Sequence, residues 1–213
     1  MTTPATYTRR FFARDSLTVA RALVGGVLVH ETRAGVSAGL IVEVEAYRGP
    51  SDRAAHSYGG RRTARNEVMY GAAGHSYVYF IYGIHYCINV VTGAVDVPEA
   101  VLIRALEPVD GLALMRRRRG LGKEAPAHLL CRGPGNVCRA MGIQGRDNGA
   151  DLLCGALRIE RGRRVPEARI VRAARIGVDY AGDHAALPWR LYDGASRSVS
   201  RAAGAGGRGS GLG

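Results

Sequence analysis

The chain has 213 residues, 46% of them hydrophobic and 23% charged, which is the composition of a folded globular protein and excludes wholesale disorder. Thirty Lys+Arg against eighteen Asp+Glu give a net charge of +12 at pH 7, a balance that favours a polyanionic partner, either nucleic acid or an anionic membrane surface. The longest apolar runs fall far short of the roughly 18 residues that span a bilayer, and the first residues contain no apolar stretch of signal-peptide length, so a soluble, cytoplasmic protein is expected.

In chain order, Asp15-Ser16 caps a predicted helix that runs to about residue 23, and Gly25-Gly26 stops it. Residues 27–31 and 39–47 are β-rich runs around a Gly-containing turn, which predicts a hairpin. A loop dense in Gly, Arg, Ser and Asn follows from 48 to 74, and loops this long inside a compact domain are usually functional. Residues 77–91 and 101–106 read as strands, and 110–119, 127–131 and 136–141 as helical, with Gly133-Pro134-Gly135 between the last two. Residues 157–160, 169–178 and 189–192 read as closing strands. Strands cluster at both ends without regular βαβ alternation, so the expected class is α+β with an antiparallel sheet, a single domain over residues 1–200. Residues 201–213 form a Gly/Ala/Arg-rich tail expected to be disordered. Its G-x-G-x-x-G at Gly204, Gly206 and Gly209 is not a dinucleotide-binding turn, because that turn must follow a strand and open a helix.

Lys123 is the single lysine, so the basic residues are almost all arginine, whose planar fork binds phosphate bidentately. An arginine-rich genome would account for that ratio but not for the net charge. Cys87, Cys131, Cys138 and Cys154 contain no C-x-x-C pair and read as reduced thiols, mostly in the core. No metal and no cofactor are expected.

Two clusters could carry chemistry. On the run Ile41-Val-Glu-Val-Glu-Ala-Tyr47, a period of two puts Val42, Val44 and Ala46 on one face and Ile41, Glu43, Glu45 and Tyr47 on the other. Two carboxylates and a tyrosine leading into a long loop suit the floor of a cleft, and the competing reading is an ordinary solvent-facing strand. The second cluster is aromatic: seven of the ten tyrosines lie between positions 47 and 86. Next to Arg61, Arg62 and Arg65 they give the stacking-plus-phosphate combination used on unpaired bases, although aromatic residues also favour strands in general.

The segment 41–56, Arg65-Asn66, Tyr77-Val-Tyr-Phe-Ile-Tyr-Gly83, Asn89, residues 101–108, Gly133-Pro-Gly135 and Arg175-Ile-Gly-Val178 resemble the alkyladenine (3-methyladenine) DNA glycosylase family, in its order and close to its spacing, from about residue 10 to 200. The resemblance implies a compact α+β domain on a curved antiparallel sheet. It also implies excision of alkylated or deaminated purines from double-stranded DNA, by a protein that acts as a monomer without an obligate partner. By motif position, Glu45 matches the carboxylate that activates water, and Arg104 a residue near that water. Tyr47, His56 and Tyr79 match the walls that stack the extruded base, and Asn89 a pocket residue disfavouring the exocyclic amine of guanine. Tyr82 matches the side chain inserted into the duplex, and the backbone carbonyl of Ile176 a group that holds the water.

These residue types suit the reaction. Extruding a nucleotide costs a few kcal/mol, least at damaged pairs, and an aromatic wedge such as Tyr82 offsets part of it. Alkylation at N3 or N7 leaves the purine cationic, and a tyrosine face attracts a cation by about 0.5–2 kcal/mol. Hydrolysis passes through an oxocarbenium-like sugar, which a carboxylate both stabilises and supplies with activated water. A lysine nucleophile would instead open a lyase route, and Lys123 lies far from the cluster, so a monofunctional enzyme is expected. Arg116 to Arg119 read as a solvated helix end, Asp52 as an Asx-turn residue, and His30, His75, His128 and His184 as surface or hydrogen-bonded residues. His85 matches no defined role. Two other classes stay open: a non-catalytic nucleic-acid-binding module, and an RNA-directed protein with a related fold.

Overall fold

The computed structural model describes residues 6–200, and the tail expected at 201–213 lies outside the described residues. Its frame is one antiparallel sheet of β1 (Val27–Thr32), β2 (Gly35–Tyr47), β3 (Ser76–Ile81), β4 (His85–Thr92), β5 (Glu99–Asp110), β6 (Leu157–Glu160), β7 (Ile170–Ala173) and β8 (Arg190–Asp193). Six strands follow the order β3-β4-β5-β2-β1-β6, and β8 joins β2 while carrying β7. The long β2 is the organising strand. β5 lies along one edge, and the other edge is shared by β1 on its first half and β8 on its second.

The helices are short: α1 (Arg9–Phe12), α2 (Ser16–Leu23), α3 (Leu112–Arg119) and α4 (Pro134–Met141). The Asp15 carboxylate accepts from the Thr18 amide at the start of α2, the cap the sequence predicts. The main core gathers Phe12, Leu23, Leu28, Ile41, Ile88, Ile103, Met115 and Met141 between the helices and one face of the sheet. The expected hairpin is present, with Val27 opposite Leu40 and Thr32 opposite Gly35.

Several boundaries differ, each for a physical reason. β5 runs on to Asp110, so the helix expected from 110 begins at Leu112 after Gly111. Residues Ala127–Leu129 make a single 3₁₀ turn. The strand expected over 169–178 ends at Ala173 because Arg175 turns into the interior. The loop 48–74 is built from three short 3₁₀ turns.

The face assignment on β2 also changes. The register against β5 slips between Ile41 and Glu43, so Val42 is the extra residue of a bulge. Ile41 therefore joins Val44 and Ala46 in the core cluster instead of sharing the face of the glutamates. Three of the four arginines ending α3 are not solvated, and only Arg117 is exposed. Arg118 donates to Ser37 and Thr32 hydroxyls and to the Ala140 and Met141 carbonyls. Arg119 reaches the Leu129 and Leu130 carbonyls, and Arg116 that of Ala125. These guanidiniums help satisfy backbone carbonyls at the ends of short elements.

Candidate active site

Glu43 and Glu45 are both fully buried, which excludes the solvent-facing strand. The Glu45 Oε1 accepts from the Ile176 backbone amide at 2.8 Å and its Oε2 from the Tyr47 hydroxyl at 2.9 Å. Arg104, on β5, lies between the two carboxylates, with Nη1 3.3 Å from Glu45 and Nε 3.5 Å from Glu43. Glu43 is held further by Arg190 Nη1 at 2.8 Å and the Ser200 amide at 2.7 Å. Burial pushes the Glu45 carboxyl above its ordinary value, and the pull of Arg104, the Ile176 amide and the Tyr47 hydroxyl does not reverse this. Burial lowers the Arg104 guanidinium, but Glu45 and Glu43 more than compensate and hold it charged.

In front of this cluster opens a cavity of about 310 Å³ whose lining includes Tyr47, His56, Tyr79, Tyr82, Asn89, Arg104 and Ile176. Seven of the eight site residues expected from sequence thus share one wall system, and the eighth, Glu45, lies directly behind Tyr47, Arg104 and Ile176. The rings of His56 and Tyr79 meet edge-on with centroids 4.6 Å apart. His56 Nδ1 lies 2.7 Å from the Tyr77 hydroxyl, which fixes the imidazole plane. Burial, with the charges of Arg65 and Arg61, brings the His56 imidazole down to about 4, so it is neutral at pH 7. Asn89 donates to the Tyr77 carbonyl at 3.1 Å, which orients its amide on the cavity floor.

Tyr82 occupies the tip of the β3–β4 hairpin with φ of 55°, next to Gly83 at 69°. Two positive φ values in succession make the tight turn whose twist matches the strands. The turn leaves the Tyr82 side chain 78% exposed at the mouth of the cavity, flanked by exposed Phe80 and Ile84. The hairpin's outer edge is basic: Arg65 donates to the Phe80 carbonyl at 3.0 Å, and its guanidinium carbon lies 5.2 Å from the Tyr79 ring centroid.

Sequence reading missed a second buried pair. Asp52 does form the expected Asx turn, accepting from the Ala54 amide at 3.0 Å. It also binds both terminal nitrogens of Arg175, at 2.5 and 2.8 Å, with both side chains buried. Burial raises the Asp52 carboxyl, and Arg175 with the Ala54 and Arg48 amides reverses this, leaving it below its usual value. Arg175 lies 4.8 Å from the Tyr47 ring centroid and 4.9 Å from that of Trp189. It thereby backs one cavity wall while its neighbour Ile176 holds Glu45. The signal available in sequence was Asp52 and Arg175 themselves, two charged residues in otherwise apolar or tight-turn surroundings. Tyr77 and His85 also line the cavity, and His85 packs so closely on Gly135 that a Cβ there would lie 2.8 Å from its Cγ.

A basic chain with a carboxylate–guanidinium cluster behind an aromatic cavity is, by comparison with known proteins, a DNA glycosylase. The family model described as methylpurine-DNA glycosylase matches residues 10–197. A protein of Clostridium acetobutylicum is 47% identical over 198 residues, spanning 90% of this chain and 96% of that one. Proteins of Bacillus cereus strain B4264 and Bacillus anthracis strain CDC 684 are each 48% identical over 192 residues, spanning 85% of this chain and 92% of theirs. All three bear the name "Putative 3-methyladenine DNA glycosylase". The chain belongs to the methylpurine-DNA glycosylase family.

Proposed function

We propose that the protein extrudes alkylated or deaminated purines (the class of 3-methyladenine, 7-methylguanine, hypoxanthine and ethenoadenine) from duplex DNA. It then hydrolyses the N-glycosidic bond with a water activated by Glu45, leaving an abasic site. The observation that carries this reading is the placement of Glu45, fully buried and tied to three groups that line an aromatic cavity of about 310 Å³.

The geometry supports the following roles. Tyr82, exposed at the hairpin tip, fills the gap in the duplex. Tyr47, His56 and Tyr79 stack the base, which selects for flat rings without reading one hydrogen-bond pattern. Neutral His56 adds no positive charge beside a cationic purine. Asn89, on the cavity lining, disfavours an exocyclic amine on the base in this reading. Arg104 and the Ile176 amide oppose the effect of burial on Glu45, whose carboxylate form takes a proton from water while positive charge grows on the sugar. The peptide at Ile176 serves both sides of this step: its amide holds Glu45, and its carbonyl helps hold the water. Lys123 is exposed beyond α3 and absent from the cavity lining, which supports a monofunctional enzyme without a lyase step.

Single-turnover excision from a hypoxanthine duplex, with and without alkali before electrophoresis, tests this. Wild type is expected to give breaks only after alkali. Glu45→Gln should lose about 10²–10⁴-fold in rate while retaining binding to the lesion duplex. Full excision by Glu45→Gln would sink the mechanism, and breakage without alkali would sink the monofunctional assignment. Tyr82→Ala should weaken binding of the lesion duplex by about tenfold, within the ~1–3 kcal/mol that aromatic stacking contributes per base. Unchanged binding would remove Tyr82 from the wedge role.

A further inference from the structure

Both tyrosine walls of the cavity carry a guanidinium that is itself outside the cavity lining: Arg175 over Tyr47 at 4.8 Å and Arg65 over Tyr79 at 5.2 Å. The two cations are not equivalent. Arg175 is buried and its charge is matched by both oxygens of Asp52. Arg65 is exposed and anchored through the carbonyl of Phe80, a neutral acceptor. Its charge therefore acts through the Tyr79 ring on whatever stacks against the other face.

We propose that Arg65 is a specificity-determining residue that biases the pocket toward neutral purines and against cationic ones. The inference rests on the excision reading above, and it runs opposite to the simplest expectation for a tyrosine-walled pocket. A tyrosine face attracts a cationic purine, but a ring that already carries a guanidinium has part of that attraction cancelled. A base in van der Waals contact with Tyr79 lies about 3.5 Å beyond the ring, so its charge would stand roughly 9 Å from the guanidinium carbon. At an effective dielectric of ~20–40, two like charges at that distance shift an equilibrium by about five- to twenty-five-fold. The exposure of Arg65 puts the effect at the lower end, about fivefold. The penalty falls on seating the cationic base and not on the later step, because positive charge passes from base to sugar as the bond breaks. The same field reaches His56, whose imidazole is lowered by burial and then by Arg65 and Arg61 to about 4.

The test compares wild type, Arg65→Gln and Arg65→Lys in single-turnover excision from duplexes containing 7-methylguanine, which is cationic, or hypoxanthine, which is neutral. In Arg65→Gln, the half-saturating enzyme concentration for 7-methylguanine should fall about fivefold relative to that for hypoxanthine. Arg65→Lys should keep the wild-type ratio. A second readout is the His56 titration followed by NMR, whose midpoint should rise from about 4 in Arg65→Gln. Equal weakening on both duplexes would reduce Arg65 to a phosphate contact and overturn the assignment. So would a His56 midpoint that does not move. Wild type that excises neither base would instead overturn the excision reading itself, so the two failures are distinguishable.

Discussion

Replacing Asp52 by alanine removes the carboxylate that both terminal nitrogens of Arg175 engage, 2.5 and 2.8 Å away, in a site where neither side chain meets solvent. Breaking a buried pair from one side costs about 3–5 kcal/mol, because the other charge stays buried. Arg175 would keep weaker partners, the Ala46 carbonyl at 3.1 Å and the His184 carbonyl at 3.3 Å, while the Arg48 and Ala54 amides would lose their acceptor. A loss of about 4 kcal/mol is therefore expected, which at a urea slope of ~2.5 kcal/mol/M lowers the unfolding midpoint by about 1.5 M. Asp52→Ala with Arg175→Met should be less destabilised than the sum of the singles, by about 2–3 kcal/mol, since no charge is then stranded. The pH dependence has a definite sign. The folded Asp52 carboxyl lies below its ordinary value, so its contribution is complete above the unfolded-chain pKa near 4 and is lost as pH falls through the folded one. Asp52→Ala should accordingly flatten the acid limb of midpoint against pH. A midpoint shift under about 0.4 M, or additive single and double variants, would refute the reasoning.

Glu45 predicts the opposite sign. Its folded carboxyl is raised by burial, so the stability difference between Glu45→Gln and wild type should move in favour of the glutamine variant as pH rises above about 4.5, measurable by urea titration at several pH values. A difference that does not change with pH would mean that Glu45 is not desolvated. Gly135→Ala places a Cβ 2.8 Å from His85 Cγ and should destabilise by about 1–2 kcal/mol despite the better helix propensity of alanine. In a His85→Ala background the same change should cost less, because only the retained Cβ of residue 85, at 3.2 Å, still opposes it, and a double-variant thermal unfolding series checks it.

Much of this architecture is legible in the sequence, and what is hidden has a common cause. Capped α2 and the β1–β2 hairpin follow from local chemistry, an Asp at the helix start and alternation, whereas the run read as one strand over 77–91 is split into β3 and β4 by a turn that puts a tyrosine, Tyr82, at positive φ. The motif positions place Tyr47, His56, Tyr79, Asn89 and Arg104 on one cavity. The bulge at Val42 is not legible, because a slip of register is decided by the partner strand and leaves no mark on alternation within seven residues. Arg116 to Arg119 look like a charge run until the carbonyls of residues 125, 129, 130, 140 and 141 arrive to occupy Arg116, Arg118 and Arg119. Asp52 shows its local role as a turn residue, whereas its ion pair with Arg175 spans 123 residues and exists only once the chain is folded.

The partners of the two β2 glutamates have a consequence for how the enzyme comes into being. Glu45 waits for an amide 131 residues downstream, and Glu43 for an arginine 147 and an amide 157 residues downstream. Synthesis proceeds from the N-terminus, so the nascent chain carries two acids that it cannot desolvate until β8 and Ser200 have emerged. Such late closure costs loop entropy before it returns any stability. The buried acid cluster is thus completed only once β8 and Ser200 have joined it, which makes its closure a late step of folding.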